Sequence, residues 1–338
     1  MLIFIDEKPY KYISKAGQHR LAFNKFLILF AISTLSLGQW FEDQFENNTL
    51  YYNKGKIDKN GLLLVDYGKI NQSDTKTLYQ YSSYPLSKIK PYRKGTAITD
   101  KTFYSVPFDG FADLKTTKTL NASELSCYAT YGLHQNYQLA QLGYGIKAVE
   151  DVDLAPSATC IMTNFPTSEC YKYSGYESPT VPVSAATCDT FEYDHIEFAV
   201  HKGGVVSSEC IPNTAVPSDG TKCSDSSVKF KKYFENYKQA GFRGNVDTVK
   251  EVLIKCGLPY TYEHGLIMGW NDDKWITVRE YIDSQGLRSY TYVLGVAQME
   301  GASSSLSGWV FHNSVTSIRT AVSVIAAAVV LPALALFL

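Results

Sequence analysis

The sequence predicts an α+β fold, because its helical segments come first and its strand-like segments follow in a separate run. Apolar residues recur at helical spacing in residues 126–142, 191–201 and 247–256. Apolar runs of strand length then occupy residues 265–270, 274–279 and 289–296. This separation into runs favours α+β over a parallel sheet, in which strands and helices would alternate.

Local signals set the ends of these elements. The second helix stops at Gly203-Gly204 and the third at Gly257, since glycine commonly ends a helix. Turn-forming residues at 271–273 and 285–286 separate the three strands. We therefore expect three helices followed by three strands.

The N-terminal third and one internal stretch differ from these regular segments. Residues 39–103 are polar, rich in Tyr and Lys, and lack a helical period, so we interpret them as a pro-segment or an N-terminal subdomain. Residues 156–190 are rich in Pro, Ser and Thr and are expected to form loops. No internal repeat is visible in the chain.

Both ends of the chain are hydrophobic. Residues 26–37 form a short apolar run behind a basic stretch, which predicts that residues 1–38 are a secretory signal peptide. Residues 321–338 are almost wholly apolar and follow a spacer at 301–320 that begins with small residues. This tail predicts either a GPI-attachment signal or a C-terminal transmembrane helix. We expect the middle of the chain, residues 104–300, to be the functional domain.

The overall composition and the glycosylation sequons fit a folded domain in the secretory pathway. The 338 residues are 45 % hydrophobic and 19 % charged with a net charge of −1, which argues against disorder and against a nucleic-acid-binding surface. Asn47, Asn71 and Asn121 begin N-glycosylation sequons. We expect a membrane-anchored glycoprotein of the secretory pathway, at the extracellular surface or in a lysosomal or vacuolar lumen.

One cysteine and one histidine stand out as candidate catalytic residues. The chain has seven cysteines, so at least one lacks an intramolecular disulfide partner. Cys127 opens the first predicted helix, where the helix dipole lowers a thiol pKa and favours the nucleophilic thiolate. His264 opens a strand 137 residues downstream and is the candidate base. Together they predict a thiolate–imidazolium pair.

These residues and several further motifs resemble the papain-like cysteine peptidases. Ser126-Cys127-Tyr128 matches the last three positions of the family's nucleophile motif, and the distance to His264 lies in its usual range. The remaining similar segments, in the family's order, are residues 154–157 before Cys160, residues 200–212, 221–223, 249–259 and 264–270, and Trp275-Ile276. The resemblance covers residues 104–300.

The resemblance implies a helical lobe and a β-rich lobe with an active-site cleft between them. It implies Cys127 as nucleophile, His264 as its acid–base partner and Asn121, where the family has Gln, as an oxyanion donor. The residue that orients the histidine would be Arg279 or, with a one-residue slip, Glu280. Of these two, only the Glu280 carboxylate can accept a hydrogen bond from the imidazole, because an arginine side chain only donates.

The resemblance to the papain-like peptidases also has implications for the wall of the cleft and for the disulfides. Thr190 and Phe191 occupy positions that would contact substrate, where the family has two glycines. The resemblance implies a Cys160–Cys223 disulfide. Glu124 replaces a family cysteine whose usual mate matches Cys188, so Cys188 needs another partner. The pairing of four cysteines stays open: Cys170, Cys188, Cys210 and Cys256. One arrangement is Cys170–Cys188 with Cys210–Cys256. Without Cys127 the chain has six cysteines, which allow 15 connectivities, and the sequence does not choose among them.

Two functions follow from the resemblance, and a disulfide-rich surface protein unrelated to these peptidases is the remaining alternative. The first is a cysteine endopeptidase that hydrolyses peptide bonds. The second is a catalytically dead pseudopeptidase that acts as a surface binding module. Both take a peptide or protein as partner, attach to the membrane through the tail, and need no cofactor. No Cys-x-x-Cys occurs, so we expect no metal site, and we expect a monomer.

Overall fold

Helices and strands both contribute to the fold, so the α+β prediction is confirmed. The computed structural model describes residues 46–66, 81–173, 176–301 and 304–313. The predicted signal peptide, the sequon at Asn71 and the hydrophobic tail lie outside these described residues.

The described helices gather mainly in the middle of the chain. The α-helices are α1 (Ala122–Leu125), α2 (Tyr128–Gln135), α3 (Gln138–Glu150), α4 (Ala158–Met162), α5 (Ile196–Gly203) and α6 (Val246–Cys256). Short 3₁₀ turns span Leu86–Lys88, Phe111–Asp113, Lys115–Thr117 and Tyr193–His195. The Asn245 side chain accepts a hydrogen bond from Thr248 N and begins α6, as an N-cap residue does.

The described strands form two sheets. In chain order they are β1 (Thr49–Asn53), β2 (Lys56–Ile57), β3 (Leu62–Asp66), β4 (Tyr81–Pro85), β5 (Thr102–Tyr104), β6 (Ser168–Tyr173), β7 (Tyr176–Glu177), β8 (Val181–Pro182), β9 (Lys238–Gly244), β10 (Tyr260–Thr261), β11 (Gly265–Asn271), β12 (Lys274–Ile282), β13 (Arg288–Gln298) and β14 (Leu306–His312). The large antiparallel sheet has the order β13-β12-β11-β10-β14-β9-β1-β4, with β5 also pairing with β11. The small sheet has the order β2-β3-β6-β7, with β8 on β6.

Two predicted elements take a different form. The helix expected over residues 126–142 is two helices, because Tyr137 adopts a left-handed backbone (φ 59°) between α2 and α3. The stretch 156–190, expected to be loops, contains α4 and strands β6 to β8. Strand β6 runs parallel to β3, a pairing that brings together residues about a hundred positions apart.

Helix α3 joins the helical region to the large sheet. Leu139, Leu142 and Ile146 pack into a core with α2, α4 and α5. Ala140 and Tyr144, on another side of the helix, pack against residues of β11, β12 and β13. Because α3 is buried on several sides, its apolar residues are spread around the helix instead of forming a single stripe.

The large sheet takes strands from both sides of the predicted domain boundaries. Strand β1, in the predicted N-terminal subdomain, pairs with β9, and β5 pairs with β11. Strand β14, inside the predicted spacer at 301–320, lies between β10 and β9 in the sheet. Gly308 of β14 runs so close to Tyr260 O that a Cβ there would clash. A GPI cleavage site within residues 301–305 would remove this inner strand, so any cleavage compatible with the fold lies after His312.

Candidate functional site

Cys127 begins α2, as predicted, but it is not a free thiol. It is bonded to Cys188, 61 residues further along the chain, and its side chain is buried. The amide of Ala129 donates to Cys188 O at 2.9 Å, which fixes the Cys188 loop beside the start of the helix. With glutamate at position 124, Cys188 takes Cys127 as its mate. The expected nucleophile is therefore corrected to a disulfide partner.

His264 lies just before β11 and is held by its own set of hydrogen bonds. Its amide donates to Thr261 Oγ1 at 3.2 Å, and its Nε2 pairs with Glu300 Oε1. Trp275 Nε1 donates to the other oxygen, Glu300 Oε2, at 3.2 Å. Burial alone would raise the pKa of Glu300, but donors from its own backbone, His264 and Trp275 bring that pKa below its usual value.

Cys127 and His264 do not form the predicted pair. None of the hydrogen bonds or ring contacts of the described residues joins them, and the Cys127 sulfur is already bonded. Glu300, the carboxylate that accompanies His264, is 36 residues downstream and was not identified from the sequence. No motif marks it, because its position depends on how the chain returns after β13.

The two candidates for the orienting position also lie elsewhere. Arg279 is exposed on β12. Glu280 has a buried carboxylate that pairs with Arg288 and lies 3.8 Å from His134 Nε2. Its amide donates to Tyr137 Oη at 3.2 Å. Glu280 is therefore next to His134, which the sequence analysis did not select, rather than next to His264.

Asn121 acts as a helix cap. Its side-chain oxygen accepts hydrogen bonds from Ser123 N at 2.9 Å and Glu124 N at 3.1 Å. Glu124 Oε2 accepts in return from Asn121 N at 3.0 Å, which completes a capping box. The capping box therefore explains why Asn121 and Glu124 stand three residues apart before α2, and no oxyanion hole is needed to explain it.

An aromatic cluster begins beside the Cys127–Cys188 disulfide, at Tyr128 and Phe191. Tyr128, more than half exposed, contacts the rings of Tyr131 and Phe191, with centroids 6.2 Å apart in both pairs. Phe191 contacts Tyr193 at 4.6 Å, and Tyr131 contacts Tyr290 of β13 at 5.8 Å. We call these five residues the aromatic face. Thr190, before Phe191, shares a 2.8 Å hydroxyl contact with Thr187 that shapes the turn leading into it.

The remaining cysteines give a second disulfide and three thiols. Cys210 is bonded to Cys223, so the implied Cys160–Cys223 pair is wrong, although Cys160 packs in the same apolar cluster. Cys160, Cys170 and Cys256 are buried free thiols, and the suggested pairs Cys170–Cys188 and Cys210–Cys256 are also wrong. Burial raises the pKa of Cys160 to about 11 and that of Cys256 further, so neither is an activated thiol.

The described residues form neither a metal site nor a membrane-spanning helix. No three His, Cys, Asp or Glu side chains are arranged to hold a metal ion in the described part of the chain. No helix among the described residues is long and apolar enough to cross a bilayer. The sequon residue Asn47 is exposed. The two disulfides confirm the expectation of disulfide bonding and are compatible with the secretory pathway or the extracellular space.

Comparison with known proteins gives no assignment. No family model matches the chain, and no curated protein or solved structure matches it significantly.

Proposed function

We propose that this protein is an extracytoplasmic binding module, a pseudopeptidase on a papain-like two-lobe scaffold, rather than an active cysteine peptidase. The observation that carries the proposal is the Cys127–Cys188 disulfide. A cysteine peptidase attacks its substrate with a thiolate, and a sulfur held in a disulfide has no thiolate to offer. The helix start that would activate a nucleophile here anchors a loop instead.

The other candidate catalytic residues support the same proposal. His264 pairs with Glu300, whose carboxylate also accepts from Trp275, and none of the hydrogen bonds or ring contacts of the described residues joins the imidazole to Cys127. The Asn121 side chain is oriented by the capping box of α1, in which its oxygen accepts from Ser123 N and Glu124 N. A peptidase needs the nucleophile, the base and the oxyanion donor around one carbonyl group. Here each of the three residues has a structural task.

We assign peptide or protein binding to the aromatic face. Exposed tyrosines supply large, stiff contact surfaces with a polar tip, which is why Tyr is enriched at protein interfaces. The cystine and the ring contacts hold Tyr128, Tyr131 and Phe191 in place before a partner arrives, which lowers the entropy cost of binding. In the papain-like interpretation, the aromatic face lies where the cleft would open beside the nucleophile.

The first test is chemical. A peptidyl vinyl sulfone is expected not to label Cys127 in the native protein, because the sulfur is not a thiol. Thiol titration in denaturant without reductant is expected to count the three free cysteines. Mass spectrometry of a non-reduced digest is expected to recover the Cys127 and Cys188 peptides joined. Labelling at Cys127, together with peptide hydrolysis that disappears in Cys127→Ala, would restore the peptidase interpretation.

The second test concerns the aromatic face. Peptides selected on the wild-type protein from a displayed random library are expected to bind Tyr128→Ala at least about tenfold more weakly, as interface tyrosines commonly contribute more than 1 kcal/mol. Tyr262→Ala is the matched control, since Tyr262 is as exposed as Tyr128 and lies outside the aromatic face. Equal losses in the two variants, or no loss in Tyr128→Ala, would contradict the assignment.

A further inference from the structure

A cavity of about 260 Å³ lies beside α1, between the segment before that helix and the loops near residues 155 and 208. Leu139, Pro156 and Tyr292 give it apolar walls, and Lys118 and His134 are among its polar lining residues. A water molecule occupies about 30 Å³ in the liquid, so this space accommodates a single amino-acid residue. The cavity shares no residue with the aromatic face.

The charges at the cavity leave one cation available. Lys115 Nζ pairs with Glu209 at 2.8 Å, and Glu124 Oε2 accepts from Asn121 N in the capping box. Lys118 is exposed, and although its amide donates to Lys115 O, its side chain makes no hydrogen bond or ion pair with any described residue. Lys115 and Glu209 therefore neutralise each other and the Glu124 carboxylate is hydrogen-bonded at its own helix start, so Lys118 is the ammonium group that the cavity offers to a ligand.

His134 provides a second, independent indication of a ligand. Its side chain is 2 % exposed, and its Nε2 has no hydrogen-bond partner among the described residues. The ring is held by stacking on Tyr292, with centroids 4.3 Å apart. Glu280 Oε1, at 3.8 Å from Nε2, is too far for a hydrogen bond and is itself unpartnered. Buried polar atoms are nearly always hydrogen-bonded, so an unpartnered imidazole in a cavity wall indicates a missing partner.

We propose that this cavity binds an N-acylated amino acid with an apolar side chain and a free carboxylate, the chemistry found at the C-terminus of a peptide. Lys118 pairs with the carboxylate, and Leu139, Pro156 and Tyr292 contact the apolar side chain. The amide of the ligand supplies the partner for His134 Nε2, as donor to one tautomer or as acceptor from the other. This site goes beyond the proposed function and is independent of the aromatic face.

The probes are N-acetyl-L-leucine and N-acetyl-L-leucinamide, titrated into the full chain with its disulfides intact and followed by ligand-observed NMR. The acid is expected to bind in the millimolar range, as ligands of about a dozen non-hydrogen atoms typically do. The amide, which lacks the charge, is expected to bind about tenfold more weakly. Equal binding of acid and amide, or no binding of either, would overturn the proposal.

Three variants locate the site. Lys118→Gln is expected to weaken the acid about tenfold and to leave the amide unchanged, because only the acid uses the charge. Lys94→Gln, an exposed lysine outside the cavity, is the matched control and should change neither. Ala155→Leu fills the cavity and should abolish both. Wild-type affinity for the acid in either Lys118→Gln or Ala155→Leu would overturn the assignment.

A further pair of probes separates a peptide terminus from a free small molecule. Acetyl-Ala-Ala-Ala-Leu as the acid, compared with its amide, is expected to show the same preference and at least the affinity of N-acetyl-leucine if the natural ligand is a peptide. Binding of N-acetyl-leucine alone indicates a small free carboxylate in the same cavity. Vinyl sulfone labelling of Cys127 would end the binding-module proposal without affecting this result, because Cys127 does not line the cavity.

Discussion

Replacing Cys127 by alanine is expected to lower the free energy of unfolding by about 4 kcal/mol, and Cys188→Ala is expected to lower it by a similar amount. Either change breaks the same bond, which closes a loop of 61 residues. In the chain-entropy model, opening a loop of that length gives the unfolded chain freedom equivalent to about 4 kcal/mol. Urea denaturation of the two variants and of the wild type measures the effect.

The double variant distinguishes a structural cystine from a nucleophile. Once either cysteine is gone, removing the other costs little more, so Cys127→Ala/Cys188→Ala should be about as stable as each single variant. A catalytic thiol would behave differently, because only Cys127→Ala would affect hydrolysis. Unchanged stability in Cys127→Ala would show that the bond does not form.

The second disulfide supplies an internal comparison. Cys210 and Cys223 are 13 residues apart, and the same model gives about 3 kcal/mol for that loop. Breaking Cys127–Cys188 should therefore cost more than breaking Cys210–Cys223. It should also weaken peptide binding, since the bond holds the loop with Phe191 against the helix that carries Tyr128.

Elements with strong local signals could be predicted from the sequence. Helix α6 begins one residue before the predicted start, because Asn245 is an N-cap and Gly257 ends the helix. Strands β11 and β12 meet at the predicted turn, where Asp272 adopts a left-handed conformation (φ 51°). These features depend on residues close together in the chain, which is the range over which propensity and periodicity act.

Features that depend on distant partners could not be predicted in the same way. Strand β14 follows a small-residue cluster that suggested a spacer, and only its pairing with β9 and β10 identifies it. The break at Tyr137 interrupts a helical period that continues on both sides of it. At the candidate site, the start of α2 was predicted correctly, but the bond from Cys127 to Cys188 depends on where a loop returns.

Acidification is expected to destabilise the wild type through two histidines that burial keeps neutral. Burial lowers the pKa of His134 and of His312 from 6.5 to about 4. His134 is enclosed by Tyr292 and by Glu280, whose charge pairs with Arg288, and His312 Nδ1 is 2.7 Å from Tyr52 Oη. Each folded-state pKa lies below the unfolded value, so stability present above pH 6.5 is lost as the pH falls towards 4.

The size of this effect is measured by comparison with a double variant, His134→Gln/His312→Gln. Each histidine is expected to lower the free energy of unfolding by about 3 kcal/mol as the pH falls from above its unfolded-state pKa to below its folded-state pKa. Desolvation also raises the pKa of Glu197 to about 8, which acts in the opposite direction. Glu197 is present in both proteins, so its effect cancels in the difference.

The stability difference between the wild type and the double variant is therefore expected to shift by about 5 kcal/mol between pH 7 and pH 4.5, in favour of the variant. Urea denaturation at several pH values in this interval measures the difference. Subtracting the difference at pH 7 removes any effect of the substitutions that does not depend on pH. A constant difference across this range would show that the two imidazoles titrate normally in the folded protein.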